Sequence, residues 1–352
     1  MDFTYQSFAT KVYFGKNQLQ NINDVVSELG GQRLFVISSD RTQYIVDELK
    51  KSLGEENVFH YSKIVQHVPK EVVVEALGLA KEKQSNLIVA IGGGSAIGLA
   101  KGMALTNHLP ILAIPSTYAG SEMTHVYGIS SDGVKTVGRN LSVLPRSVIY
   151  DPSLTERMPL SLAATSSMNA MAHLIEALYA PDYNPITYQI SFMGIKFLKT
   201  GMEQLISEKS LRNANENLQF GAYLGGKVLS EVSMSLHHKA AHVLGGSFGM
   251  DHSKVHTVLL PYVLEFQLQA LPKTTVRDLQ TALEDEHPPH KLRTLAEQMG
   301  ADISLKAIGF KENRLEEAAA VIGAMKFPNP VDITIDGIKN LLRKAYEGRV
   351  KS

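Results

Sequence analysis

Up to residue 150, short apolar runs alternate with stretches whose apolar positions recur every three or four residues. The runs cover 11–14, 33–38, 57–61, 86–91, 111–114 and 147–150, and several are apolar at successive positions. Strands covered on both faces read this way, whereas half-exposed strands alternate. The intervening stretches, 19–29, 42–53, 70–83 and 96–105, carry helical spacing. This alternation predicts an α/β half with a parallel, Rossmann-like sheet and helices on both sides. Residues 126–138, which contain Ser130-Ser131-Asp132-Gly133, predict an inserted hairpin.

Beyond Asp151-Pro152 the strand-like runs nearly vanish. Helical spacing takes over at 161–179, 185–206, 211–235, 239–244 and 255–270, with shorter pieces to 346 and prolines between them. The predicted organisation is a dinucleotide-sized α/β domain over 1–157 and an all-helical domain over 158–352. The default ligand site of such a pair is the cleft between the halves, at the carboxyl ends of parallel strands.

Composition narrows the function. With 352 residues, 44% hydrophobic and 20% charged, the chain can bury two cores and is not a disordered one. Lysine plus arginine balances aspartate plus glutamate at 35 each, which argues against a non-specific nucleic-acid binder. The absence of cysteine excludes disulfides, thiolate metal sites and thiol nucleophiles. The first 16 residues lack the apolar core of a signal peptide. The longest apolar stretch, 87–100, is broken by glycines and falls short of the ~20 residues that span a bilayer. The expectation is a cytoplasmic protein with no membrane partner.

Two constellations carry chemistry. Gly92-Gly93-Gly94-Ser95 follows a strand and opens a helix, where glycines let backbone approach a pyrophosphate and the helix start offers free N–H groups. Ser95 is expected to cap that helix and touch phosphate. The plainer alternative is a tight turn. The loop is neither a first-strand dinucleotide fingerprint nor a P-loop, which would end in Gly-Lys-Ser/Thr. Ser116, Thr117 and Ser121 in the next loop are candidates for the same cofactor. Asp40 ends the second core strand, where a carboxylate can bind a ribose and repel a 2′-phosphate, favouring NADH with NADPH possible; it equally suits a helix cap.

The second constellation is imidazole. Asn169, His173 and Glu176 share one helix face; His238 and His242 share another, with His237 turned away; His252 and His256 follow. Three histidines could hold zinc or iron(II), but Asn169 is a neutral ligand at best. The cluster could instead bind and protonate an anionic substrate.

The order Gly92-Gly93-Gly94-Ser95, Lys101, Pro115-Ser116-Thr117, 148–155, 168–176, Asn184-Pro185, His238, His242, His252 and Leu260-Pro261 resembles the iron-containing (group III) alcohol dehydrogenase family. The resemblance spans about 14 to 261. It implies the two-domain architecture shared with dehydroquinate synthase. That family binds metal through an aspartate and three histidines; the matching positions are Asn169, His173, His238 and His252. The stretches 116–122, 98–101, 144–152, 168–173, 176–181 and 236–239 are similar to the branch that reduces 2-maleylacetate to 3-oxoadipate with NADH or NADPH, commonly without metal, in the breakdown of aromatics. The resemblance implies hydride addition to an alkene conjugated to a ketone, with protonated histidines stabilising the enolate. His173, His238, His242, His252 and Asn169 are then the expected catalytic groups, with His238 or His242 as the acid. Arg139, Lys239, Lys254 and His237 are expected at the carboxylates of the dicarboxylate substrate, and Lys135 at the nicotinamide ribose or phosphates. The other readings are a metal-dependent alcohol or polyol dehydrogenase and a dehydroquinate synthase-like lyase. An exposed strand at Lys11–Phe14 could pair across a homodimer.

Overall fold

The successive apolar runs form strands packed between helices. In the computed structural model the described residues are 2–131 and 134–350, and the side chains of Val134 and Lys135 lie outside the description. The order is β1 (Lys11–Phe14), α1 (Ile22–Glu28), β2 (Leu34–Ile37), α2 (Gln43–Leu53), β3 (Val58–Tyr61), α3 (Lys70–Glu82), β4 (Leu87–Gly92), α4 (Gly94–Asn107) and β5 (Ile111–Pro115). The hairpin strands β6 (Val126–Ser131) and β7 (Val134–Arg139) follow, then β8 (Ser147–Tyr150). The main sheet is parallel throughout, in the order β1-β8-β5-β4-β2-β3.

Period-2 alternation explains its two cores. Phe35, Ile37, Ile88 and Ala90 face one way, onto Val72, Ala76, Ala100 and Met103 of α3 and α4. Their neighbours Leu34, Val36, Val89 and Ile91 face the other way, onto Val25, Val26, Ile45 and Val46 of α1 and α2. Burial of each such side chain contributes roughly 1.5–3 kcal/mol. β2 continues to β3 on one side while β4 continues to β5 on the other, so the chain changes direction between β2 and β4. A crevice opens at such a point beyond the strand ends. The register pairs Ile37 with Ala90 and Gly92 with Pro115, which brings the loops after β2, β4 and β5 side by side.

The second unit is helical: α5 (Leu160–Ala177), α6 (Pro185–Glu208), α7 (Leu211–Glu231), α8 (Leu236–Gly246), α9 (His252–Gln267), α10 (Lys273–Leu283), α11 (Pro288–Gln298), α12 (Leu315–Gly323) and α13 (Ile335–Glu347). From Ala163 to Ala177, α5 is buried on all sides, packed by α6, α7 and α9. Gly225 of α7 makes this possible, because a Cβ there would lie 3.0 Å from the Ala170 carbonyl oxygen. Backbone thus meets backbone beside Asn169.

The chain divides into compact units at Arg157/Met158, but the residues up to Gln6 cluster with the helical unit and not with the α/β half to which the sequence assigned them. The Tyr5 hydroxyl explains this by donating to Glu231 Oε2 at 3.0 Å. Two helices also start earlier than spacing predicts, α8 at Leu236 and α9 at His252. Polar histidines interrupt the apolar period there, while Asp251 caps α9 by accepting the Lys254 N–H at 3.0 Å. His237 and His238 therefore occupy the first turn of α8. Among the described residues, no helix is long and apolar enough to cross a membrane.

Candidate active site

β4 ends at Gly92, whose φ of +148° lies in the region that favours glycine. Gly93 then starts α4, its carbonyl accepting the Ala96 and Ile97 N–H groups at 3.1 and 3.2 Å. No side chain caps the helix, so its first-turn N–H groups and positive end suit an anion. Ser95 lies inside the first turn and is not the expected cap, because the backbone of Gly93 already fills that position. The Ser116 N–H donates to Gly92 O at 3.1 Å, and a Cβ on Gly93 would come within 3.0 Å of Thr117 Cγ2. The two predicted loops therefore touch.

Ser121 begins a 3-10 turn, Ser121–Met123, after the left-handed Gly120. Asp40 is exposed just beyond β2; Ser39 occupies the cap position there, so the cap alternative for Asp40 is not taken. Arg139 is exposed at the end of β7. Lys135 belongs to β7, but its predicted role falls outside the described side chains.

The helical unit gathers the imidazoles in a gradient of burial. His237 and His256 are fully buried, and His237 Nε2 contacts His256 Nδ1 at 2.8 Å. His173, His238 and Asn169 are buried at 3%, 5% and 8% exposure, with the His173 and His238 rings stacked 5.1 Å apart. His242 and His252 are exposed, their rings stacked at 5.8 Å. His252 lies 4.4 Å from His256, and His256 lies 5.0 Å from His238. Asn169 Oδ1, His173 Nδ1 and His238 Nε2 are buried without a hydrogen-bond partner among the described residues. His237 Nδ1 and His256 Nε2 are likewise buried without a partner among the described residues, so the cluster as a whole offers unsatisfied polar atoms to a ligand.

Glu176, wholly buried, organises the first turn of α8. Oε1 accepts the His237 backbone N–H at 2.7 Å, and Oε2 lies 2.5 Å from His238 Nδ1. Burial pushes the Glu176 carboxyl up from its ordinary value, against the pull of His237 and those backbone N–H groups. Burial likewise pushes His173, His238 and His256 well below 6.5, and His237 down to about 3. This corrects the expectation of protonated histidines for His173 and His238, which desolvation keeps neutral near pH 7. Burial draws Glu176 toward its protonated form and His238 toward its neutral one, and their short contact shares a proton between Oε2 and Nδ1. Its position decides whether His238 Nε2 presents an N–H or a lone pair.

The substrate assignments fare unevenly. His237 is sealed against His256 and cannot meet a carboxylate, because the first turn of α8 points it inward. Lys254 is exposed and paired with Asp302 at 3.2 Å. Lys239 is half-buried one residue beyond His238. Sequence reasoning missed the roles of Glu176 and His256. The signal for Glu176 was its place three residues after His173 on the same face.

The positions that would hold a metal carry three imidazoles and one amide. Asn169, His173, His238 and His252 offer neutral donors, with no carboxylate among them. Among the described residues, no three His, Cys, Asp or Glu side chains come together as metal ligands would.

Two family models divide the chain between them: iron-containing alcohol dehydrogenase matches residues 9–152, and the C-terminal model of the same family matches 163–346. The chain belongs to the iron-containing alcohol dehydrogenase family. It is an oxidoreductase of an NAD(P)-dependent family acting on a small substrate. It is 40% identical over 348 residues to maleylacetate reductase of Pseudomonas sp. strain P51, covering 99% of both chains. Identity to the protein of that name from Delftia acidovorans is also 40%, again over 99% of both. The crystal structure of maleylacetate reductase from Rhizobium sp. strain MTP-10005 superposes with a TM-score of 0.93 at 34% identity, covering 99% of both chains.

Proposed function

We propose that this family member reduces 2-maleylacetate to 3-oxoadipate with NADH, accepts NADPH less well, and works without metal. The observation that carries the reading is the buried, partnerless trio of Asn169 Oδ1, His173 Nδ1 and His238 Nε2, next to the Glu176–His238 contact. Full-length likeness to maleylacetate reductases supports it. A dinucleotide would be held through its pyrophosphate by the N–H groups at Gly93, Gly94 and Ser95, with Ser116, Thr117 and Ser121 beside it. Asp40 accepts from the adenosine ribose; in Asp40→Ala the NADH-to-NADPH ratio of kcat/KM falls.

The substrate is a dianion whose alkene is conjugated to a ketone. A nicotinamide bound at the glycine loop would supply a hydride to the alkene carbon remote from the ketone, and the electron pair displaced onto the ketone oxygen would make it an enolate. Asn169, through its Nδ2 amide, and His173, through a ring N–H, donate to that oxygen. His238 Nε2–H protonates the carbon next to the ketone, while the proton of Glu176 Oε2 moves to His238 Nδ1. No imidazolium forms in this relay; the negative charge of the enolate ends on Glu176, where the His237 backbone N–H holds it until a proton returns. Solvent then reprotonates Glu176 through the exposed His242 and His252 side of the cluster. Lys239 and Arg139 are the carboxylate partners left once His237 and Lys254 are otherwise engaged.

The test is NADH oxidation with 2-maleylacetate at neutral pH after exhaustive chelation. Full activity is expected; loss restored by zinc or iron(II) would overturn the metal-free part. Turnover of simple alcohols in its place would return the protein to the metal-dependent dehydrogenases, and conversion without net NADH consumption to the lyases. We also infer a cytoplasmic homodimer joined through β1, an edge strand of the main sheet; a monomeric mass in light scattering would remove the dimer.

A further inference from the structure

Lys101 lies in α4, two turns from the glycine loop, and is only 1% exposed. Its ammonium donates to Ser121 O at 2.6 Å, Thr124 Oγ1 at 2.8 Å and Val126 O at 2.9 Å. Three donors thus meet three acceptors. Thr124 Oγ1 passes its own proton to Ser121 O at 3.1 Å, closing the network. Glu122, between those acceptors in sequence, is also buried, and its Oε1 accepts from the Tyr150 hydroxyl at 2.7 Å. Burial pushes the Lys101 amine down to about 7, against the opposite charge of Glu122.

A buried charge is tolerated when hydrogen bonds replace its lost hydration. Here two of the three replacing groups are backbone carbonyls of one loop, so the ammonium is satisfied only while 121–126 keeps this shape. The other end of that loop rests on the glycine turn, with Thr117 against Gly93 and Ser116 N–H on Gly92 O. We propose that Lys101 is a positioning residue for the cofactor: it pins 121–126 to α4 and so holds the 116–121 loop against Gly92, Gly93 and Gly94 in the form that receives the dinucleotide. Lys101 does this through the loop and touches no cofactor atom. The inference rests on the cofactor seat proposed above.

The test compares KM for NADH with KM for 2-maleylacetate in Lys101→Met, which keeps the side-chain length and removes the donors. The KM for NADH is expected to rise tenfold or more, while kcat and the KM for 2-maleylacetate change less than threefold. A purely structural lysine would lower the thermal midpoint and leave both KM values of the folded enzyme alike, and that result overturns the proposal. If Lys101→Met does not fold, Thr124→Val, which removes one acceptor, reads the same split with a rise of threefold or more, and no rise there overturns it equally. Failure of the unaltered chain to bind NADH would overturn the cofactor seat and this inference together; equal NADH affinity of both chains overturns only the inference.

Discussion

The glycine turn and the histidine cluster handle polarity in opposite ways. The turn is built from backbone: Gly93 caps its own helix, no side chain intrudes, and a single Cβ would crowd Thr117. The cluster is built from side chains on α5, α8 and α9, several of them with less than a tenth of their surface exposed. A backbone site recognises a group common to all dinucleotides, and its helix dipole does not titrate. A side-chain site in a dry interior can hold or move a proton, because burial brings carboxyl and imidazole toward shared protonation. On the proposed reading, one region binds and the other reacts.

That contrast breaks most easily at the proton. In His238→Gln, kcat is expected to fall by about 10²–10⁴, the usual worth of a positioned acid. Glu176→Gln keeps an acceptor for the His237 N–H but cannot carry the relayed proton, so kcat falls by roughly 10–100-fold. Both leave the KM for NADH within a few-fold of the unaltered protein. Steady-state NADH oxidation checks each, and a Glu176→Gln enzyme with full kcat removes the relay.

The binding side responds more mildly. Gly93 has φ −89° and ψ −164°, which alanine can adopt, so the cost of Gly93→Ala lies in Thr117, whose methyl would be 3.0 Å and whose Oγ1 3.1 Å from the new Cβ. The KM for NADH is expected to rise roughly three- to tenfold, up to about 1.4 kcal/mol, with kcat kept. Thr117→Ser deletes the methyl, the closer of the two atoms, and should recover part of the KM in the double variant. No rescue would mean that the cost lies in the backbone approach to phosphate and not in the loop contact.

Much of this was legible in the residues. Runs apolar at successive positions in 34–37 and 87–91 announced strands covered on both faces, and the glycine loop was found where the register aligns it with the loops after β2 and β5. The histidine cluster was legible as spacing, since i, i+4 pairs must share a face. What spacing could not give was depth. His237 and His238 are adjacent in the first turn of α8, yet one is sealed against His256 and the other holds Glu176. Protonation state follows depth, so the expected imidazolium cations became neutral rings. Ser95 looked like a cap because serine favours that position, but a glycine backbone had already taken it.

The last test probes the strut of the binding region by stability alone. Lys101 titrates at about 7 when folded and near its ordinary 10.5 when unfolded. Below about 7 both states hold the proton and the penalty of burying the ammonium is present in full. Between about 7 and 10.5 the unfolded state binds the extra proton, so stability rises with pH by at most about 1.4 kcal/mol per unit. The chain has no cysteine, so no thiol confuses this window. Thermal midpoints measured from pH 7 to 9 should climb in the unaltered protein, and the climb should be smaller in Lys101→Met, which has no amine to lose. Equal slopes in the two proteins would mean that Ser121, Thr124 and Val126 keep the ammonium as comfortable as water does, and that the strut is held by hydrogen bonds without stored desolvation.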